Sequence, residues 1–269
     1  MSGRRRASTA SPRRHPNDGP PPRPPVRSRC VPAAHVVTVS IEVAWIDLDP
    51  GAGELRGLAR LLTDDDRARV AARATPALRR RATVSLAHRR LLAAEVLGAS
   101  PSAVALRVAA DGRRLASSSP RSDTVAISVS TSGDTGLVAV ASTGAVGVDV
   151  EDFDGVPPSP AFIERAATPA ERASLEVCSG EDRERAVRSL WSRKEAYLKA
   201  TGEGIGVGLQ RVEVPLETGA WGRRWEPVAG ACWYLYDLDV PRPGLAAAVV
   251  AGPAGSAEEI APVLRVRPA

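Results

Sequence analysis

The sequence predicts an α+β fold built on antiparallel sheets, and three observations predict it. Strand-like runs follow one another across short turns (Val125–Ser130, then Leu137–Ala141, then Ala145–Glu151) instead of alternating with helices. Two long helical patterns, from about Leu78 to Leu97 and from about Glu184 to Thr201, each stop at a glycine, Gly98 and Gly202. Strands and at least one long helix recur in both halves of the 269-residue chain, which is long enough to bury a sizeable core.

Folded material is expected from near Val36, where the run Val36–Trp45 is rich in β-branched residues and reads as a strand. Thr63 followed by Asp64, Asp65 and Asp66 reads as a capped helix start, with acids in the first turn where the helix dipole is positive. The Ala/Arg/Leu helix to Leu97 comes next, and then the three strands in meander order, separated by Gly133-Asp134 and Ser142-Thr143-Gly144. A Pro-rich loop, Asp152–Pro160, leads to a helix starting near Phe162. Thr168-Pro169-Ala170-Glu171 then reads as a fresh helix start, with Thr as cap, Pro in the first turn and Glu at the capping-box position. After the second long helix, a hairpin closes the chain: Trp233–Val240 and Leu245–Ala251 around the turn Pro241-Arg242-Pro243-Gly244.

Composition narrows the chemistry. The apolar run Leu245–Ala251 is far too short to span a bilayer. Cys30, Cys178 and Cys232 are odd in number and widely spaced, which points to a reducing, cytoplasmic setting and not to a disulfide scaffold. The net charge is +5, but residues 1–34 contribute +7 through eight arginines and one acid, Asp18, leaving −2 for the rest. The basic character therefore belongs to a Pro/Arg-rich extension, expected to be disordered, and not to a nucleic-acid-binding face. The histidines His15, His35 and His88 show no metal-binding spacing, and neither a Cys-x-x-Cys pair, a G-x-S-x-G elbow nor a GxxxxGK[ST] loop occurs. Gly202, Gly204, Gly206 and Gly208 alternate after a helix instead of opening one, the wrong context for a dinucleotide fingerprint. Chemistry is left to carboxylates, to Lys or Arg, and to a hard metal ion.

Two segments supply those groups. In Val146-Gly147-Val148-Asp149-Val150-Glu151, strand alternation sends the three valines into a core and puts Asp149 and Glu151 on the opposite face beside Gly147. Two carboxylates on one face repel, and a divalent cation relieves that repulsion. The competing reading is a solvent-facing strand end that carries acids. In the helix Leu190–Thr201, Trp191, Glu195 and Lys199 are spaced by four and lie in one row. A Glu–Lys pair at that spacing is usually surface decoration, but Lys194 and Lys199 are the only lysines among 36 basic residues. A lysine is a compact point charge that an arginine does not replace, so their confinement to this helix is read as a sign of a chemical role. Asp149, Glu151 and Glu195 together make a hard oxygen site of the kind Mg²⁺ accepts, and Lys199 beside them suits a phosphate.

Gly147-Val148-Asp149-Val150-Glu151 followed by W-x-x-K-E-A-x-x-K-A-x-G-x-G from Trp191, with Phe162–Arg165, Thr168–Glu171 and the final Pro-Gly hairpin, resembles the 4′-phosphopantetheinyl transferases over about Ser40–Ala251. The length and order resemble the larger, monomeric type that activates peptide and polyketide synthetases. The resemblance implies a pseudo-twofold fold: two similar lobes, each a small antiparallel sheet packed with a long helix. Its organisation would be a 1–34 extension, an N-terminal lobe at 35–144, a C-terminal lobe at 145–253 with the metal site and catalytic helix, and a 254–269 tail. The implied reaction moves phosphopantetheine from coenzyme A to a serine of an acyl or peptidyl carrier protein and releases adenosine 3′,5′-bisphosphate. Asp149, Glu151 and Glu195 would hold Mg²⁺ or Mn²⁺. Asp149, Glu195 and Lys199 would be catalytic, with Glu195, or a water held by Glu151, taking the serine proton. Arg69, Arg81, Arg113, Ser130, Thr131 and Lys199 would bind coenzyme A. Nucleic acid and membrane are not expected as partners.

The chain departs from the family at two positions. Thr131 stands where the family commonly has a histidine that contacts a phosphate, and it brings no charge. Asp66 stands where a basic residue is often found. These departures motivate two other readings: a non-catalytic coenzyme A or carrier-protein binding module, and a Mg²⁺-dependent pyrophosphate hydrolase using the same carboxylates.

Overall fold

A computed structural model describes residues 37–119, 123–153, 159–204, 206, 208–216, 223–228, 231–241, 245–254 and 260–268. The expected 1–34 extension, residues 154–158 of the Pro-rich loop and Arg242–Gly244 of the final turn lie outside the described residues.

The first half runs β1 (Val37–Asp47), α1 (Ala52–Ala59), α2 (Asp64–Ala71), α3 (Pro76–Leu97), β2 (Ala105–Val108), β3 (Arg114–Ser117), β4 (Thr124–Ser132) and β5 (Thr135–Ala141). The second runs β6 (Ala145–Asp152), α4 (Pro160–Ala166), α5 (Pro169–Glu176), α6 (Gly180–Thr201), β7 (Arg223–Val228), β8 (Ala231–Asp237), β9 (Leu245–Ala254) and β10 (Ile260–Arg267). Local chemistry sets the helix ends. Thr63 and Thr168 close full capping boxes with Asp66 and Glu171, and Gly98 and Gly202 end the two long helices in the left-handed conformation.

Strands join as a six-stranded sheet, β10-β1-β5-β4-β3-β2, and a four-stranded sheet, β6-β9-β8-β7. Alternate residues of β1, β5, β6 and β9, among them Ile41, Val43, Leu137, Val148 and Val249, form one apolar layer between the sheets. The other face of the first sheet packs on α3 through Val84, Ala87, Ile127 and Val138. The outer face of the second packs on α6 through Leu190, Tyr197, Ala248 and Val250. The molecule is therefore helix, sheet, sheet, helix, with the same layering in both halves.

Two expectations are corrected. β6 does not continue the meander of β4 and β5; it crosses to the second sheet and pairs with β9. The cause is that both of its faces are wanted: its valines fill the inter-sheet layer while its other face receives α6. Its open edge is satisfied by side chains, since Val148 N–H donates to Ser128 Oγ at 3.1 Å and Asp152 N–H to Ser132 Oγ at 2.9 Å. Residues 254–269 are not simply a tail either. β10 pairs in parallel with β1, so the first sheet is not purely antiparallel, and the chain does not finish with the β8–β9 hairpin.

Candidate active site

β6 and α6 build the site. With the valines of β6 turned into the inter-sheet layer, Gly147, Asp149 and Glu151 face α6. The helix comes this close because residue 147 has no side chain: a Cβ there would lie 1.8 Å from the carbonyl oxygen of Ala196 and 2.7 Å from the nitrogen of Ala200. The end of α6 is fixed in the same way. Gly202, at φ +81°, packs on the β2–β3 turn, where an added Cβ would lie 2.1 Å from the oxygen of Asp111.

Carboxylate oxygens of Asp149, Glu151 and Glu195 all lie within 4.8 Å of one another. Lys199 Nζ donates to Asp149 Oδ1 at 2.5 Å and to Ser130 Oγ at 2.8 Å, and it lies 3.7 Å from Glu195 Oε2. Ser130 Oγ donates to the same Asp149 oxygen at 2.8 Å, while Ser132 Oγ and the Trp191 side chain hydrogen-bond to Glu151. Asp149 is fully buried, and its Oδ2 has no hydrogen-bond partner among the described residues. Burial, and then the Asp149 charge, push Glu195 up to about 7, an effect that Lys199 only partly offsets. The same two causes raise Glu151.

One lysine thus balances three converging acids, one of which keeps a buried oxygen without a hydrogen-bond partner among the described residues. An all-oxygen donor set with surplus negative charge fits a hard divalent cation such as Mg²⁺.

Above the cluster opens a cleft of about 470 Å³ between β4, α3 and α6. Glu151 and Lys199 of the cluster line it, together with Ser130, Thr131, Arg73, Arg81 and Arg89. Of the coenzyme A residues expected from the sequence, Ser130, Thr131, Lys199 and Arg81 border this cleft; Arg81 also donates to Asp134 at 2.7 Å. Arg69 borders a separate cleft of about 140 Å³. The Arg113 side chain is held by Asp111 at 2.7 Å, beside the Gly112–Gly202 contact.

Arg73 and Arg89 were not anticipated. A signal for Arg89 existed, since Arg81, Ser85 and Arg89 recur every four residues on one row of α3. The serines of Ser128-Val129-Ser130-Thr131-Ser132 were anticipated only at Ser130; their alternation marks the face of β4 that meets β6.

The paired reading of the two lysines is corrected for Lys194. It is fully buried and spends its three N–H groups on Glu171 (2.5 Å), the Ala166 carbonyl (2.8 Å) and the Leu209 carbonyl (3.0 Å), which makes it scaffold. Asp66 is equally structural. It is buried, closes the Thr63 capping box and accepts from Arg90, whose guanidinium also holds the Val104 carbonyl.

A family model for the 4′-phosphopantetheinyl transferase superfamily matches residues 145–250, the stretch that carries both site motifs. The holo-[acyl-carrier-protein] synthase of Levilactobacillus brevis is 31% identical over 91 residues, 75% of its own length and 31% of this chain. The chain belongs to the 4′-phosphopantetheinyl transferase superfamily. The 4′-phosphopantetheinyl transferase HetI of Nostoc is 29% identical over 77% of this chain and 86% of its own length, so the likeness to this superfamily member extends across both halves. A Synechocystis relative, slr0495, is 39% identical over 84 residues; the match spans 34% of that protein and 31% of this chain. The superfamily is named for its chemistry, the transfer of a 4′-phosphopantetheinyl group. Among the described residues no helix is long and apolar enough to cross a membrane.

Proposed function

We propose that this chain, acting as a cytoplasmic monomer, transfers the 4′-phosphopantetheine group of coenzyme A to a serine of an acyl or peptidyl carrier protein and releases adenosine 3′,5′-bisphosphate. The observation that carries this reading is the convergence of three carboxylates beside one lysine, with an unpartnered oxygen on the fully buried Asp149.

Asp149, Glu151 and Glu195 would hold Mg²⁺ or Mn²⁺, which when bound neutralises the diphosphate charge. Lys199, steadied by Asp149 and Ser130, faces the phosphate that leaves and stabilises its growing charge. Ser130 and Thr131 offer hydroxyls to the diphosphate. Arg69, Arg81 and Arg113 are proposed to contribute positive charge for the phosphates; support exists for Arg81, on the cleft wall. The carrier serine Oγ bonds to the β-phosphorus as the bond from that phosphorus to the bridging oxygen breaks. The serine proton passes to Glu195, or to a water held by Glu151, and the electron pair of the broken bond stays on the departing bisphosphate. Orientation and charge neutralisation supply most of the acceleration.

The binding-module reading loses the support of Asp66, whose partner is Arg90, and keeps only that of Thr131. Mass spectrometry of apo carrier protein with coenzyme A, Mg²⁺ and this chain separates the readings. A gain of one phosphopantetheine group is the expected result. Carrier capture without a mass gain would favour a binding module, and coenzyme A cleavage without carrier would favour a hydrolase. In the same assay Glu195→Gln should slow transfer by at least about a hundredfold. Its melting temperature should be equal to or above wild type, because one of three repelling charges is gone. Undiminished turnover would remove Glu195 from the mechanism.

A further inference from the structure

Along β4, Ile127 and Val129 face α3, and the serines between and beyond them face the second sheet. Ser128 and Ser130 are buried there, where an apolar residue is the ordinary choice and an unpaired hydroxyl is costly. The edge of β6 that β9 leaves open explains them. Ser128 Oγ accepts from Val148 N–H at 3.1 Å and Ser132 Oγ from Asp152 N–H at 2.9 Å, so β4 and β6 keep one offset of 20 residues. Side-chain oxygens thus stand in for a partner strand's carbonyls. Between these two rungs lie Asp149 and Glu151. The middle serine, Ser130, donates to Asp149 Oδ1 and accepts from Lys199.

Glu151 is the acid most in need of an outside hold. It stands one residue from the end of β6, where pairing with β9 also ends, and strand ends open more readily than centres. Ser132 supplies two holds with one hydroxyl. It accepts from the backbone N–H of Asp152, and its own proton reaches Glu151 Oε2 at 3.4 Å. The Trp191 side chain grips the same carboxylate from α6. We propose that Ser132 is a positioning residue for Glu151, pinning the end of β6 and keeping the carboxylate turned toward Asp149 and Glu195. The proposal rests on these carboxylates holding the divalent cation.

Melting temperature of the full chain, followed against Mg²⁺ concentration, tests it. Ser132→Ala should raise the Mg²⁺ concentration for half the thermal gain by about tenfold, as loss of a partner to a metal ligand does. Ser132→Thr, which keeps the hydroxyl and suits a strand, should stay within about twofold of wild type. Ser128→Ala loses the same kind of backbone bond but no contact with a carboxylate. It should lower the melting temperature and leave the Mg²⁺ midpoint within about twofold of wild type. In the transfer assay Ser132→Ala should need correspondingly more Mg²⁺, while KM for coenzyme A at saturating Mg²⁺ stays near wild type. Should Ser132→Ala fail to fold, Ser132→Cys, close in volume and a poor donor, carries the same test. A wild-type midpoint in the variant, an equal shift in Ser128→Ala, or no rescue by threonine overturns the role of Ser132. A wild-type chain whose melting temperature ignores Mg²⁺ overturns the ion site itself, and the proposal with it.

Discussion

Asp149 has one oxygen held by Lys199 and Ser130 and the other left without a partner, so a neutral side chain at this buried position would lose the lysine and gain nothing. Around it, Glu151 and Glu195 are both pushed up by burial and by the Asp149 charge, Glu195 to about 7. A carboxyl whose folded value is raised holds its proton more tightly in the folded state. Its stabilising contribution is full below the ordinary value of 4.5 and lost as pH rises through about 7. In EDTA, melting temperature should therefore fall between pH 5 and pH 8. A cation needs the ionised cluster, so the rise in melting temperature caused by excess Mg²⁺ should be small at pH 5 and grow through pH 7. Scanning fluorimetry with and without Mg²⁺ checks both trends; a Mg²⁺ shift independent of pH would mean the ion is held elsewhere.

At the scale of elements, the site exists because α6 lies directly on β6. Gly147 permits that contact. Gly147→Ala places a methyl carbon 1.8 Å from a helix carbonyl oxygen, and neither backbone can yield cheaply. The change should cost at least about 3 kcal/mol by denaturant titration. It should also abolish the Mg²⁺-dependent gain in melting temperature, because the helix that moves carries Glu195 and Lys199. Retention of that gain would show that the carboxylates meet without close packing. Lys194, next to Glu195, is the buried anchor of the same helix: it ties α6 to α5 through Glu171 and to the carbonyls of Ala166 and Leu209. Neighbouring charged residues on one helix thus do different work, one holding the helix and the other joining the carboxylate cluster. Their distinction is burial, which the row of letters does not reveal.

At the scale of the whole molecule, the last described strand returns to the first. β10 pairs with β1, and Arg265 and Arg267 reach the buried Glu42, Arg267 also gripping Glu95 on α3. Burial raises Glu42, and hydrogen bonds from Arg265, Ser40 and Arg267 outweigh it, so its carboxyl stays below the ordinary range. A chain ending at Ala254 should lose about 1–3 kcal/mol from the buried Glu42 alone. It should also expose the β1 edge to strand addition, seen as a lower melting temperature and concentration-dependent aggregation by light scattering. Unchanged stability would make β10 dispensable.

Local signals were legible where one residue type meets one steric or electrostatic need. The threonine caps, the glycine helix ends and the valine alternation of β6 follow from backbone geometry within a few residues. The acidic residues of the site were legible too, because a lysine-poor chain keeps Lys199 four residues after Glu195, and because Asp149 and Glu151 alternate with core valines. α1, β2, β3, β7 and β10 were not read, being short or lacking a strong apolar period, and β6 was assigned to the wrong neighbours. The sequence by itself determined the two long helices, the core strands, the motif residues and the kind of ion they suit. Tertiary structure alone decided that β6 crosses between sheets, that Lys194 is buried while Lys199 borders the cleft, and that the β4 serines meet the open edge of β6. Those outcomes depend on which surfaces exclude water from which side chains, a property of packed neighbours distant along the chain and of no local pattern.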